Sequence, residues 1–290
     1  MNPNSWPAPA KLNLFLHILG RRPDGYHTLQ TMFQLLEFGD ELDFKVTQDG
    51  YIKLQRDYND IPAEDDLVFR AARMLQVRSG NSLGATITVR KHIPVGSGLG
   101  GGSSDAATTL IALNQLWGCG RSLESLAEIG LPLGADVPVF IAGHSAWAEG
   151  IGEKLLPVTL SAEWFLVIYP ACQVNTGEVF NLPDLTRNTT PITIRDFLAG
   201  AGHNDCENAV FRHYPNVAVA AQWLGKWTEA RLTGTGSCVF GRFENEHAAQ
   251  DILSKLPGQW QGFVSKGCNV SPLYRKLETL KLAQIRDGNG

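Results

Sequence analysis

The sequence predicts an α+β protein built in two halves, and three observations carry that expectation. The chain opens with polar and apolar side chains in alternation, as in a half-buried strand. A glycine-rich segment, Pro94 to Ser104, stands between a strand pattern and a helix pattern. After a turn near Leu155–Val158, strand and helix patterns resume over a second stretch long enough for its own core. At 290 residues the chain accommodates two modest domains, placed here at 1–158 and 159–290.

The opening strand is Ala10-Lys-Leu-Asn-Leu-Phe-Leu-His-Ile18, ending in Gly20-Arg-Arg-Pro-Asp-Gly25, a dense cluster of turn formers. Residues 28–38 are mostly apolar and read as extended. Glu41–Val46 and Tyr51–Leu54 flank Asp49-Gly50, the signature of a hairpin. A helix is expected over Asp66–Val77, where Leu67, Ala71, Met74 and Leu75 share one face. Ala85–Lys91 alternates as a strand. Beyond the glycines, Leu110, Leu113 and Trp117 lie at helical spacing in a helix over Asp105–Trp117, with Ser103 or Ser104 as its N-cap. Leu123–Ile129 is a short helix. In the second half, Trp164–Tyr169 has the pattern of a buried strand. Helices over Asn208–Arg212, Val217–Trp223 and Glu246–Leu256 then mix with strands over Ala230–Leu232, Cys238–Phe243 and Gly262–Lys266.

Composition narrows the function. Hydrophobic residues make up 43% and charged residues 19%, the ordinary range for a soluble globular chain. A net charge of −4 with scattered basic residues supplies no field for gripping nucleic acid. No run of about 18 apolar residues suggests a membrane span, and the N-terminus lacks the charged and apolar regions of a secretory signal. Five widely spaced cysteines without a CxxC pair suggest neither a disulfide framework nor a zinc site, and fit a reducing compartment. The expectation is a cytoplasmic enzyme, monomeric or weakly dimeric, acting on small molecules without nucleic-acid or membrane partners.

The segment Pro94-Val95-Gly96-Ser97-Gly98-Leu99-Gly100-Gly101-Gly102-Ser103-Ser104 carries the chemistry. Glycines remove the Cβ atoms that keep a backbone away from a bulky anion. Free N–H groups and the positive end of the following helix then favour phosphate. A flexible linker does not usually join a well-formed strand to a well-capped helix. Gly96-x-Gly98-x-x-Gly101 matches the dinucleotide fingerprint, but no strand ending in Asp or Glu lies about 20 residues beyond. A Walker loop needs Gly-Lys-Ser/Thr, whereas this one closes Gly-Ser-Ser-Asp.

That loop resembles the phosphate-binding loop of the GHMP small-molecule kinases. Pro7-Ala-Pro-Ala-Lys-Leu-Asn-Leu-Phe-Leu16, Arg22-Pro-Asp-Gly-Tyr-His-Thr-Leu29, Gly134-Ala-Asp-Val-Pro-Val-Phe140, Leu232-Thr-Gly-Thr-Gly-Ser-Cys-Val-Phe240 and Phe263-Val-Ser-Lys-Gly-Cys-Asn-Val-Ser-Pro272 extend the likeness over almost the whole chain. They are similar to the branch of that family that works on a cytidine diphosphate derivative. The resemblance implies phosphorylation by ATP, with Mg²⁺, of the 2-hydroxyl of a cytidine-diphospho-methylerythritol in the non-mevalonate isoprenoid pathway. It also implies a two-domain fold with the active site in the cleft. A left-handed βαβ unit is implied in the first domain and a ferredoxin-like arrangement in the second.

The same resemblance assigns roles by position. Asp136 becomes the base that takes the hydroxyl proton, although from its surroundings it serves equally as N-cap of Val137–Ile141. Lys11, otherwise an ordinary strand lysine, is set beside Asp136, and Asn13 shares its strand face and binds substrate. Tyr26 and Phe180 cover the two faces of cytosine, while His27 and the backbone of Ile151 meet its edge. Phe33 is a weaker substrate candidate, since an aromatic there more naturally belongs to the core. Lys91 and Asp66 fall near adenine, though a carboxylate at Asp66 has no donor for a ring nitrogen. Asp105 stands in the first helical turn, and Thr233-Gly-Thr-Gly-Ser-Cys238 lines the site. No magnesium ligand is identified, Ser104 being the nearest hydroxyl to hand.

Overall fold

The computed structural model describes residues 5–56, 58 and 61–287. β1 (Trp6–Arg21) and β2 (His27–Thr47) form one long antiparallel hairpin, with Trp6 opposite Leu42 and Arg21 opposite His27. The Arg-Pro-Asp-Gly turn closes because Gly25 takes φ +88° and Arg22 N–H donates to the Tyr26 carbonyl at 2.7 Å. Tyr26 is thereby left exposed at the hairpin tip, and His27 begins β2 buried.

β2 is the spine of the fold. Its Glu41–Thr47 stretch pairs with β4 (Gly84–Arg90), and its Leu29–Phe33 stretch pairs with β5 (Ala146–Gly150). Leu35 and Leu36 between them meet the end of β10 (Gln261–Cys268). The expected hairpin at Asp49-Gly50 does not form: β3 (Ile52–Arg56) pairs in parallel with β4, and α1 (Leu67–Ser79) crosses between them. β4 therefore lies between the two strands that local pattern paired. Ala85, Ile87 and Val89 are buried, whereas β3 carries no buried residue, so the more apolar strand takes the inner position.

α2 (Gly101–Leu116) is buried from Ser104 through Leu113, and α3 (Leu123–Gly130) and α4 (Val137–Ala142) lie against it. β6 (Lys154–Pro157) pairs with β5. The second half adds β7 (Trp164–Tyr169), α5 (Thr176–Asn181), α6 (Ile194–Leu198), α7 (Glu207–His213), α8 (Pro215–Leu224), β8 (Arg231–Leu232), β9 (Val239–Phe243) and α9 (Glu246–Leu253). Among the described residues the sheet runs β3-β4-β2-β10-β7-β9-β8, continuous across both halves. Leu16 and Ile18 of β1 enter the core built under α7 and α8. Phe15, Met32, Phe165 and Phe240 fill the seam between the halves.

The final helix α10 (Pro272–Asp287) returns to the first half. Leu273 is buried there, the Tyr274 hydroxyl donates to the Ile141 carbonyl, and Arg275 pairs with Glu37 at 2.9 Å. Among the described residues no helix is long and apolar enough to cross a membrane.

Gly39 faces Pro9 where β1 slips register just before Lys11. A Cβ at Gly39 would stand 2.2 Å from the Ala8 carbonyl oxygen, which is backbone and cannot swing aside. Gly39→Ala is expected to lower stability to urea by about 1–3 kcal/mol. Gly20→Ala, where a Cβ meets nothing within 4 Å, should leave the midpoint unchanged. Equal midpoints for both variants would refute the close approach.

Candidate active site

Lys11 reaches from β1 into a cavity of about 790 Å³ that also takes in the glycine loop and the hairpin tip. Its ammonium donates to Asn13 Oδ1 at 2.6 Å and to the Gly98 carbonyl at 3.0 Å, and lies 3.2 Å from Asp136 Oδ2. The ring of Phe33 lies beneath it, 5.4 Å from Nζ to centroid. The Lys11 side chain is 4% exposed and that of Asp136 32%, so the carboxylate is the more accessible end of the pair. Asp136 sits at the N-terminus of α4, but no side-chain cap forms. The capping reading of the sequence fails because Lys11 takes that carboxylate. Asn13 in turn donates to Thr31 Oγ1 at 3.0 Å, which fixes its amide with the oxygen toward Lys11. Phe33 belongs to the core and still lines the cavity.

The glycine loop is pinned from two sides. Lys11 N–H donates to the Leu99 carbonyl at 3.0 Å, which ties the loop to β1. A second turn, residues 233–237, locks into its outer face, with Cys238 N–H donating to the Ser97 carbonyl at 3.0 Å. At Gly98, φ is +78° and a Cβ would lie 2.4 Å from the Thr233 carbonyl oxygen, so a side chain is excluded twice over. Asn13 N–H donates to Thr233 Oγ1 at 2.9 Å, and Asn204 donates to the Leu232 and Gly234 carbonyls at 2.9 and 2.8 Å. Asn204 gave no signal in the sequence, because one asparagine before a helix reads as an ordinary cap.

α2 begins at Gly101, ahead of the Ser103 or Ser104 cap that the sequence suggests. Its N-cap is Gly100 at φ +75°, with no side-chain cap, and Ser104 N–H closes the first turn onto the Gly100 carbonyl at 2.9 Å. A Cβ at Gly100 would press on Phe140 at 2.9 Å and on Lys11 Cε at 3.1 Å, so the glycine run itself supplies the helix start. The N–H groups of Gly101, Gly102 and Ser103 have no partner within the helix, and those residues line the cavity. Such a helix end takes an anion. Pro94, Val95, Gly96 and Ser97 line the cavity too.

Beneath the loop, Lys91 bridges Asp40 and Asp105, with Asp105 Oδ2 at 2.7 Å. Asp105 is inside α2 rather than in its first turn, so its partner is Lys91 and not the helix dipole. Burial, and the neighbouring Asp40 opposing Lys91, push its carboxyl up to about 8. Asp66 lines the cavity, but its carboxylate caps α1 at Val68 N–H (2.9 Å) and receives Arg56 (2.9 Å) and the Tyr58 hydroxyl (2.7 Å).

At the hairpin tip, His27 stacks on Phe180 of α5, with centroids 5.0 Å apart and planes 19° from parallel. Arg187 donates to His27 Nε2 at 3.2 Å and also holds the Phe180 carbonyl at 2.9 Å. Tyr26 and Ile151 line the same end, although Ile151 N–H is already given to Glu153 at 2.6 Å. Arg187 is 160 residues from His27 in the chain and could not be linked to it from the sequence.

Ser104 is fully buried, and its hydroxyl finds no hydrogen-bond partner. Among the described residues no three His, Cys, Asp or Glu side chains converge as a metal cluster.

A helix end with free N–H groups beside a carboxylate–lysine pair, at the seam of two halves of one sheet, is an arrangement that fits a small-molecule kinase. Residues 66–144 match the family described as GHMP kinases N terminal domain, and residues 184–262 match GHMP kinases C terminal. Among curated proteins, the chain is 56% identical to a 4-diphosphocytidyl-2-C-methyl-D-erythritol kinase of Pseudomonas syringae pv. syringae, over 94% of this chain and 97% of that one. It is 53% identical to the Alkalilimnicola ehrlichii protein of the same name, over 98% of this chain and 97% of that one. A crystal structure of a 4-(cytidine 5'-diphospho)-2C-methyl-D-erythritol kinase aligns with TM-score 0.80 and 30% identity, over 91% of this chain and 98% of the other. The mevalonate kinase of Methanococcus jannaschii shares the fold, at TM-score 0.65 and 17% identity over 90% of this chain and 97% of that one. The chain belongs to the GHMP kinase family of small-molecule phosphotransferases and, within it, to the 4-diphosphocytidyl-2-C-methyl-D-erythritol kinase branch.

A carboxyl whose pKa is raised by folding contributes stability below that pKa and loses it as the pH climbs from the ordinary carboxyl range toward about 8. Asp105→Asn removes that loss. Its thermal midpoint should rise relative to the parent as the pH goes from 5 to 8, read by differential scanning fluorimetry. Parallel curves for the two proteins would contradict the buried-acid assignment.

Proposed function

We propose that this chain transfers the γ-phosphoryl group of ATP to the 2-hydroxyl of 4-diphosphocytidyl-2-C-methyl-D-erythritol, giving the 2-phosphate and ADP. The observation that carries the reading is the Lys11–Asp136 pair in one cavity with the glycine loop on one side and the Tyr26–His27–Phe180 cluster on the other. The names of the relatives support the substrate. The donor is the magnesium complex of ATP, with the metal arriving as part of the substrate. Residues 1–158 supply the phosphate-binding end and residues 159–290 the wall that carries Phe180.

In this reading the N–H groups of Gly101, Gly102 and Ser103 hold the phosphates, and Pro94 to Gly100 shapes the approach. A loose phosphoryl-transfer transition state asks for positioning and charge stabilisation more than for covalent chemistry. Asp136 receives the hydroxyl proton as the new O–P bond forms and the bond between the β- and γ-phosphates breaks. Lys11, 3.2 Å from that carboxylate, holds it aimed at the cavity. Asn13 orients the alcohol, and Tyr26 with Phe180 brackets the pyrimidine while His27 meets its edge. Lys91 and Asp66 border the nucleoside end of ATP, with Asp66 acting as cap and ion-pair partner.

The test is ADP release on mixing purified protein, MgATP and the cytidine-diphospho substrate. Asp136→Ala should lower kcat by about 10²–10⁴ while leaving binding of both substrates nearly intact by calorimetry. Turnover of mevalonate or homoserine in place of the cytidine compound, or near-parental kcat in the variant, would sink the proposal.

A further inference from the structure

Three consecutive residues at the entrance to the glycine loop are gathered by one carboxylate. Asp40 lies in β2 opposite Ala8 of β1, one residue before the pair that β2 makes with the end of β4, Glu41 with Arg90. Its side chain is wholly buried. Oδ1 accepts from His92 N–H at 2.5 Å and from Ile93 N–H at 2.8 Å, and Oδ2 receives the Lys91 ammonium. His92 Nδ1 donates to the neighbouring Gly39 carbonyl at 2.9 Å. The chain therefore leaves β4 on a fixed course into Pro94.

Lys91 carries that hold to the start of α2. Its ammonium also donates to Asp105 Oδ2 at 2.7 Å, which ties β2 to the helix. A Cβ at Gly101, the first residue of α2, would stand 3.2 Å from Lys91 Nζ and 3.0 Å from Ile93 Cγ2. The residues that Asp40 grips thus form the floor under the free N–H groups of Gly101, Gly102 and Ser103. Lys91 lines the cavity, and two of its three N–H bonds go to the two carboxylates. Among the described residues the third finds no acceptor. Burial, and the neighbouring Asp40, hold the Asp105 carboxyl up at about 8, so at neutral pH Asp40 is the partner that carries the charge.

We propose that Asp40 is a positioning residue for the phosphoryl donor: it sets Lys91 and Ile93 beneath the start of α2, so that the third N–H of Lys91 and the free N–H groups of the helix meet the donor nucleotide together. This rests on the ATP reading above. Asp40 is buried away from the nucleotide and acts through Lys91. A cation beside a helix N-terminus adds to the field that holds an anion, provided the cation stays where the helix end needs it. Replacing Asp40 with asparagine separates the two parts of its hold. The amide oxygen still accepts from His92 and Ile93, but the amide N–H₂ then faces the ammonium, donor against donor. Lys91 is displaced from Gly101 while the backbone course into Pro94 is kept. Loss of a buried, charge-assisted contact of this kind weakens donor binding by roughly 10- to 100-fold. The acceptor end of the cavity, at Tyr26 and Phe180, lies outside the network and keeps its affinity.

The experiment has two arms, neither of which needs turnover. Calorimetric titration of the full chain with MgADP and, separately, with cytidine diphosphate reads the two ends of the cavity independently. Asp40→Asn should lower affinity for MgADP by roughly 10- to 100-fold and leave that for cytidine diphosphate unchanged. Lys91→Met should do the same, and the double variant should bind MgADP no more weakly than the weaker single variant, because Asp40 works through Lys91. The second arm is ¹⁵N NMR of the lysine ammonium groups in the parent, with Lys91 assigned by its absence in Lys91→Met. Its signal should move on addition of MgADP and stay in place with cytidine diphosphate. If Asp40→Asn fails to fold, that parental spectrum still decides the matter. An Asp40→Asn protein that loses thermal stability but keeps its MgADP affinity, or that loses both affinities alike, would overturn the proposal. So would losses that multiply in the double variant, or a Lys91 signal indifferent to MgADP in a parent that binds it. A parent that binds cytidine diphosphate but not MgADP would instead remove the ATP reading, and this proposal with it.

Discussion

A single buried ammonium organises the site. The Lys11 side chain is almost wholly removed from water, and removing a cation from water costs several kcal/mol unless its three N–H bonds are satisfied by well-placed oxygens. Asn13, Gly98 and Asp136 supply those oxygens, and they come from β1, the glycine loop and the start of α4. Satisfying the charge therefore forces three separate elements to one point. The arrangement leaves one carboxylate, that of Asp136, facing the cavity with its neighbours fixed.

The glycine loop shows how little slack remains around that point. Gly100 lies where a Cβ would meet both Phe140 and the Lys11 stem, and Gly98 where one would meet the Thr233 turn. The glycines thus serve packing between two loops as much as they serve the anion. Because the Thr233 turn belongs to the second half and β1 to the first, this contact joins the halves at the site. Asn204 holds the turn from behind, and Asp205 accepts from Ile18 N–H of β1 at 2.6 Å. Continuity of the sheet through β10 does the same job at a distance.

Local pattern revealed most of the regular elements and little of their partnerships. The strand at Ala10–Ile18, the helix after the glycines and α7, α8 and α9 of the second half were legible because their apolar periodicity is unbroken, whereas α5, α6 and α10 gave no expectation. The Asp49-Gly50 hairpin was misread because turn chemistry is local, whereas the insertion of β4 between two strands is decided by which strand buries more apolar surface. Capping by Ser103 or Ser104 failed for a related reason, since Gly100 already provides the left-handed residue that starts the helix. Within the site, Lys11, Asp136 and the Tyr26–His27 pair were found through family resemblance, not periodicity. Arg187 and Asn204 escaped notice because their contacts span 160 and about 30 residues of chain and leave no spacing signal.

In the proposed reaction Lys11 and Asp136 act as one unit, the lysine serving through the carboxylate it holds. The most direct test is a double-mutant cycle on kcat with Lys11→Met, Asp136→Asn and the double variant, each confirmed as folded. Groups that act together lose their contribution once, so the double variant should be about as slow as the slower single variant. Losses that simply multiply, placing the double variant at the product of the two single effects, would contradict the account.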